Sequence, residues 1–244
     1  MRKDISIARV PWGVRDILKI VLATFIVPFG ILLVLIGMSH FGFLPVAVRD
    51  TLKNNDFVVN LGFELVVIVV ETSMVVWLMR KYHLRFSDLG FRKFSLWKAL
   101  LYVVLGLILF SFLVAGVFVL ITVLVPTIDV DQAQNTSFEF GDKGVGLIIG
   151  FVATVILAPI IEELYFRGLI LPAVAKRYGW LLGVVISSGF FAILHMQVNV
   201  IIYTFLLGIV LSFFYIRLKS IIPGIVLHMI NNLLAFIVLA GLIK

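Results

Sequence analysis

Four polar residues in the second half of the sequence could together carry acid–base chemistry: Glu162, His195, His228 and Asn232. A glutamate and a histidine that share one water can remove its proton and hold it for attack on a carbonyl carbon, which is the general-base step of peptide hydrolysis. A neutral histidine and an asparagine amide can donate hydrogen bonds to the oxyanion that forms. The residue types therefore predict peptide hydrolysis, with complementary roles for all four side chains.

A metal-dependent alternative uses the same residues. Two histidines and one glutamate form a known catalytic zinc ligand set, so Glu162, His195 and His228 could bind zinc instead. Asparagine is a poor zinc ligand and suits the oxyanion role better. The helical zinc-protease pattern H-E-x-x-H is absent, and with no cysteine the chain can have no thiolate metal site or disulfide. We expect no metal and no other cofactor, while the residues alone leave both mechanisms open.

The spacing of these residues predicts how helices would bring them together. The turn-like stretch Lys176–Gly179 lies midway between Glu162 and His195. An antiparallel helical hairpin that turns there would place the two side chains at matching depth. His228 and Asn232 are four residues apart and would share one face of the last helix, whereas Asn231 would point away by about 100°.

Three further residues are expected to support the site. Glu163 and Arg167 are four residues apart with the acid nearer the N-terminus, which is the favourable order for a helical ion pair. That pair would neutralise Glu163 and leave Glu162 available for chemistry. Asn199 follows His195 by four residues, and we expect it to orient the imidazole.

The elements that must position these groups are membrane helices. Of the 244 residues, 62% are hydrophobic and only 14% are charged, which excludes an ordinary soluble domain. At about 20 apolar residues per crossing, seven crossings use roughly 140 residues. The composition therefore predicts an all-α fold, a polytopic transmembrane bundle in which residues 1–244 form a single domain. The apolar runs are Ile20–Met38, Phe57–Met79, Ala99–Val125, Gly144 through the glutamate pair, Trp180–His195, Val198–Ile216 and Ile221–Ile243.

The distribution of basic residues predicts the orientation. Lysine and arginine near helix ends accumulate on the cytoplasmic side. With a cytoplasmic N-terminus, 16 of the 20 basic residues fall in inner segments and four in outer ones. The net charge of +7 is therefore explained by topology, and no nucleic-acid motif or partner is expected. Pro159 should distort the fourth helix, and the loop from Pro126 to Lys143 should lie outside.

Glu64 and Glu71 are two further carboxylates within an apolar run. They are seven residues apart and thus on one face of the second membrane helix. Ionisable groups in membrane segments are costly, so each indicates a function. We favour a structural or substrate-contact role for both. A transporter that relays protons through them is an alternative, which the absence of repeated broken helices weakens.

Three short motifs connect the chain with a known family. The stretch E-E-L-Y-F-R from Glu162 to Arg167 resembles the E-E-x-x-x-R motif of the CAAX protease and bacteriocin-processing (CPBP, or Abi) family. F-A-I-L-H, ending at His195, is similar to its F-x-x-x-H motif, and H-M-I-N-N, ending at Asn232, to its third motif. The motifs occur in the family's order within residues 162–232.

The resemblance implies an intramembrane endopeptidase related to the type II CAAX prenyl proteases, which use glutamate rather than zinc. Glu162 and His195 would activate water, His228 and Asn232 would form the oxyanion hole, and Glu163 and Arg167 would support them. The expected partners are membrane lipid and a peptide or membrane-protein substrate, in a bacterial cell membrane. A non-catalytic scaffold or bacteriocin self-immunity protein is the alternative within the family. No sequence feature points to a prenylated substrate.

Overall fold

A computed structural model describes residues 10–54, 56–130, 144–195 and 197–239, in which the side chains at 56–58, 60, 61, 64 and 239 are not described. These parts of the chain contain eight helices and no strand, so the prediction of an all-α fold is confirmed for them. The helices are α1 (Val14–His40), α2 (Val46–Asn54), α3 (Asp56–Tyr82), α4 (Leu96–Leu124), α5 (Val145–Tyr178), α6 (Trp180–Ile193), α7 (Val198–Leu218) and α8 (Ile222–Leu239).

Four of the described helices are long and apolar enough to cross a membrane, namely α1, α4, α5 and α7. The helix α6 is apolar but has only 14 residues, or about 21 Å at 1.5 Å per residue. Large apolar side chains such as Leu33 and Leu109 are mostly exposed on the outside of the bundle. Such a surface fits a lipid environment. Four candidate spans support an integral membrane protein, and the count of seven stays a prediction.

The basic segments that were predicted to lie on one side of the membrane do meet at one end of the bundle. Hydrogen bonds there connect the start of the described chain with the end of α3 and with the end of α5. Another connects the α7–α8 junction with the segment that follows α3. The contacts are Lys81 Nζ to Asp16 (2.5 Å), Lys176 Nζ to the Val10 carbonyl (2.8 Å) and Ser220 Oγ to the Arg92 carbonyl (2.9 Å). The location of these basic segments at one end of the bundle agrees with the prediction that they lie on the same side of the membrane. That this side is the cytoplasmic one stays a prediction.

The core lies between the second half of α5, α6 and α7. Phe166, Leu169, Phe191 and Leu211 are almost completely buried there. Close helix contact depends on Gly208, because a β-carbon added to it would lie 2.8 Å from Ser188 Cβ. Small residues at such crossings let helix backbones approach, which is how membrane helices commonly pack.

Pro159 distorts α5 without ending it. A proline removes one backbone hydrogen-bond donor, and its ring crowds the carbonyl four residues earlier. The helix accommodates this with wider π-helical turns at Phe151–Leu157, just before the proline. A second π-helical stretch at Leu164–Ile170 follows Glu163. The glutamate pair thus lies between two irregular turns, and π-helical turns occur frequently at functional sites.

Candidate active site

Glu162 and His195 line the same cavity, which has a volume of about 300 Å³. It opens between α1, α3, α5 and the end of α6. Its walls are mainly apolar side chains, including Phe25, Phe29 and Ile161. A concave, mainly apolar site with a few convergent polar groups is typical of ligand and substrate pockets.

The α5–α6 hairpin brings Glu162 and His195 to this cavity. The helix α5 ends at Tyr178 and α6 begins at Trp180, so the predicted turn is confirmed. Gly179 makes the turn with a φ of +85°, a conformation that glycine adopts without steric cost. Gly183 then packs against Ala175, where an added β-carbon would lie 3.0 Å from Ala175 Cβ. The two arms therefore lie close together from the start of the hairpin.

The hydrogen bond of His195 indicates which ring nitrogen can accept a proton. Its Nδ1 lies 3.1 Å from the carbonyl oxygen of Phe191. Because a carbonyl can only accept, Nδ1 carries the proton in this contact. Neutral His195 then has its lone pair on Nε2. That tautomer suits a general base.

His228 lies between the two glutamates of the pair. Its Nε2 is 3.5 Å from a carboxylate oxygen of Glu162, and its Nδ1 is 3.4 Å from one of Glu163. The Glu162 side chain is 28% exposed, whereas that of Glu163 is only 1% exposed. Of the two carboxylates, Glu162 is therefore the one that a substrate can reach.

Glu163 forms the predicted ion pair with Arg167, with 2.6 Å between Oε1 and Nη1. Both side chains are buried. Arg167 Nη2 donates a second hydrogen bond, 3.0 Å long, to the Gly208 carbonyl on α7. The guanidinium also lies over the Phe191 ring, with 4.8 Å between Cζ and the ring centroid. Arg167 thus joins three helices as well as neutralising Glu163.

Gly224 on α8 is a site residue that sequence reasoning missed. A β-carbon at this position would lie 3.1 Å from Oε2 of Glu163. The absence of a side chain therefore lets α8 approach the buried carboxylate. The glycine of S-I-I-P-G before His228 was a signal, because small residues in membrane helices often mark places where helices pack closely.

Asn232 and Asn231 have different hydrogen-bond partners. Asn232 donates from Nδ2 to the Thr154 carbonyl on α5 over 2.9 Å. Asn231 accepts a short hydrogen bond from the Tyr203 hydroxyl. His228 and Asn232 lie four residues apart within the helix α8, as the spacing predicted. One of the two Asn232 N–H groups is used by Thr154, and an amide has a second to donate.

The expected role of Asn199 in orienting His195 was drawn from their four-residue spacing. The two residues do not share a helix, since α6 ends at Ile193 and α7 begins at Val198. Their spacing in sequence therefore does not fix the distance between the two side chains. Asn199 is buried at the start of α7. The described hydrogen bond of the His195 ring goes to the Phe191 carbonyl, and the orienting role of Asn199 stays a prediction.

Glu71 lines the cavity together with Glu162 and His195, on the wall that α3 provides. It is only 7% exposed. The seven-residue spacing of Glu64 and Glu71 predicts one face of a helix but not what that face contacts. The side chain of Glu64 lies outside the described part of the structure.

The zinc alternative requires three ligating side chains around one point. Within the described residues, no group of three or more histidine, aspartate or glutamate side chains is arranged to hold a metal ion. Glu162 and His228 approach each other to 3.5 Å, which is two of the three ligands that the zinc alternative needs. The absence of a metal stays a prediction.

Comparisons with known proteins identify the region that contains the motifs. Residues 144–234 match the family described as type II CAAX prenyl endopeptidase Rce1-like. All three motifs lie within this match, so the resemblance is confirmed for these residues. At the level of the family, the match supports a membrane protease of the CAAX type.

A curated relative is described only as an uncharacterized 24.3 kDa protein of Escherichia coli. It is 35% identical over 96 residues, which are 37% of this chain and 44% of that protein. The chain therefore covers less than half the length of the relative it matches. No solved structure matches the chain.

Proposed function

We propose that the chain is an intramembrane endopeptidase that hydrolyses peptide bonds of membrane-associated or small peptide substrates. The observation that carries the proposal is that Glu162 and His195 line one cavity. The match of residues 144–234 to a protease family supports peptide cleavage as the reaction. The protein would span the membrane seven times with its N-terminus in the cytoplasm. The motif residues would then act near the inner surface of a bacterial membrane.

In the proposed first step, Glu162 and His195 share a water within the cavity. The Glu162 carboxylate takes a proton from this water while the oxygen attacks the carbonyl carbon of the substrate. The C–N bond then breaks, and the proton held by Glu162 passes to the leaving nitrogen. The proton of the new carboxylic acid also passes to the amine, so that one water is consumed and the products are a carboxylate and an ammonium group. The exposure of Glu162 and the Nδ1 hydrogen bond of His195 support these roles.

His228 and Asn232 would stabilise the tetrahedral oxyanion. His228 lies beside Glu162, and a hydrogen bond from its Nε2 would meet an oxygen at that position. Asn232 would use the N–H that does not bind Thr154. Glu163, Arg167 and Asn199 would position these groups without touching the substrate. The buried ion pair between Glu163 and Arg167 supports that division.

A reconstituted cleavage assay tests the proposal. Purified protein in proteoliposomes is incubated with a library of internally quenched apolar peptides, with and without a prenyl group as separate arms. We expect wild type to cleave at least one pool, and Glu162→Ala and His195→Ala to lose the activity while inserting normally. Asp50→Asn, which removes an exposed carboxylate on α2, is the matched control and should cleave as wild type does.

Two alternatives predict other results in the same assay. A non-catalytic scaffold or immunity protein would cleave no pool. A zinc enzyme would lose activity on chelation and recover it specifically with zinc. Full cleavage by Glu162→Ala would contradict the proposed mechanism itself.

A further inference from the structure

Glu71 contributes a second carboxylate to the cavity that contains Glu162 and His195. It belongs to α3, outside the region that matches the protease family. The proposed hydrolysis assigns it no role. A buried carboxylate in an apolar membrane helix is costly, so its presence in this wall calls for a function.

The rest of the wall is suited to an apolar chain that ends in a charge. Phe63, Val67 and Glu71 follow one another at intervals of four residues on one face of α3 and all line the cavity. Phe29 packs edge-on against Phe63, with 5.5 Å between ring centroids. Aliphatic and aromatic surface thus leads along α3 towards the Glu71 carboxylate.

The titratable side chains that line the cavity are mainly acidic. Among the described residues that line it are two glutamates and one histidine, with neither lysine nor arginine. The buried arginine of the site, Arg167, donates hydrogen bonds to Glu163 and to the Gly208 carbonyl. An ionised carboxylate in a space of low polarity binds a cation through charge-assisted hydrogen bonds, which are stronger than neutral ones.

Lysine and arginine side chains fit such a space. Their methylene stems pack along apolar surface while the charged end seeks a polar partner. The aromatic rings of the wall would also attract a cation through their faces. A volume of about 300 Å³ accommodates a short peptide segment and excludes a folded partner.

We infer that Glu71 is a specificity residue that binds a basic side chain of the peptide substrate, placing it beside the bond that Glu162 and His195 would hydrolyse. The inference rests on the proposed peptidase function and adds a substrate class to it: apolar peptides with a lysine or arginine close to the cleaved bond. Glu71 would bind substrate without taking part in proton transfer.

Matched peptide libraries test the inference. Internally quenched apolar decapeptides carry one lysine at each position in turn, and the control set carries norleucine, which has a similar stem without the charge. For the best position, we expect wild type to show a kcat/KM for lysine on the order of 10- to 100-fold above norleucine. In Glu71→Gln, kcat/KM for the lysine peptide should fall, whereas kcat/KM for the norleucine peptide should stay unchanged. The ratio of the two should therefore approach about one.

Two further variants and a binding measurement keep the outcomes separate. Glu71→Asp retains the charge on a shorter stem and should keep part of the preference, which tests the inference if Glu71→Gln does not fold. Asp50→Asn removes an exposed carboxylate of α2 and should leave the ratio unchanged. Fluorescence anisotropy of the same peptides with each protein in nanodiscs measures binding without cleavage.

Equal rates and equal binding for lysine and norleucine peptides in wild type would overturn the inference. A lysine preference that persists undiminished in Glu71→Gln would also overturn it. A Glu71-dependent preference in binding without any cleavage would support the cation site and count against the peptidase. Neither binding nor cleavage of any peptide would count against both.

Discussion

Glu163 and Arg167 form an ion pair in which neither side chain is exposed and only 2.6 Å separates the carboxylate oxygen from the guanidinium nitrogen. The pair lies directly beside His228 Nδ1, which is 3.4 Å from Glu163. A buried charge that loses its partner is strongly unfavourable. The arrangement therefore makes the local fold depend on keeping both charges together.

Replacing one member of this pair should destabilise the protein strongly. Arg167→Leu leaves the Glu163 carboxylate buried without its cation and also removes the hydrogen bond to Gly208. We expect a loss of about 3–5 kcal/mol of unfolding free energy. Unfolding in mixed micelles with increasing SDS measures it.

The double variant Glu163→Leu/Arg167→Leu is the control, because it removes both charges at once. It should be more stable than Arg167→Leu alone, since replacing a whole buried pair by apolar residues is often neutral. A double variant less stable than the single one would contradict a simple charge-pair explanation.

Gly208→Ala should weaken the contact between α6 and α7. The added methyl group would lie 2.8 Å from Ser188 Cβ and 3.0 Å from its Cα, so the helices must separate. We expect a destabilisation of about 1–3 kcal/mol, typical of overpacking. Gly189→Ala is the matched control, because an added β-carbon there has no described neighbour within 4 Å. Equal stability of both variants would argue against close packing at Gly208.

Much of this architecture could be predicted because membrane helices satisfy their backbone hydrogen bonds internally and therefore follow apolar length. The hairpin turn at Gly179 and the Glu163–Arg167 pair follow from local spacing. Both involve residues that are close in sequence, so local helix and turn geometry determines how far apart they lie.

Features that depend on contacts distant in sequence could not be predicted. Nothing near Glu71 in the sequence indicates that α3 joins Glu162 and His195 at one cavity. The hydrogen bond from Asn232 to Thr154 joins residues 78 positions apart, so the local sequence does not predict it either. The role of Asn199 in orienting His195 stays a prediction, because α6 ends at Ile193 and α7 begins at Val198, so the spacing of the two residues in sequence does not fix their distance.

Labelling should find the two ends of the bundle on opposite sides of the membrane. The chain has no cysteine, so a single introduced cysteine gives no background. A membrane-impermeant maleimide should label Asp129→Cys on intact cells and Arg85→Cys only after permeabilisation. Both native side chains are exposed. Labelling of Arg85→Cys but not of Asp129→Cys on intact cells would contradict the predicted orientation.

Metal removal should leave the activity unchanged. The described residues contain no group of three ligating side chains arranged for an ion, and water activation by Glu162 needs none. We expect purified protein to hold no stoichiometric zinc by elemental analysis and to cleave equally after extensive chelation. Activity that is lost on chelation and restored by zinc, but not by magnesium, would favour the metalloprotease.

The central claim is that the Glu162 carboxylate accepts the proton of the attacking water. Its most direct test is the single-turnover cleavage rate of Glu162→Gln in proteoliposomes, because glutamine keeps the size of the side chain and removes the proton acceptor. General-base catalysis contributes typically 10²–10⁴-fold, so we expect a fall in rate of about that size with peptide binding retained. A Glu162→Gln rate within about twofold of wild type, measured beside the Asp50→Asn control, would contradict the claim.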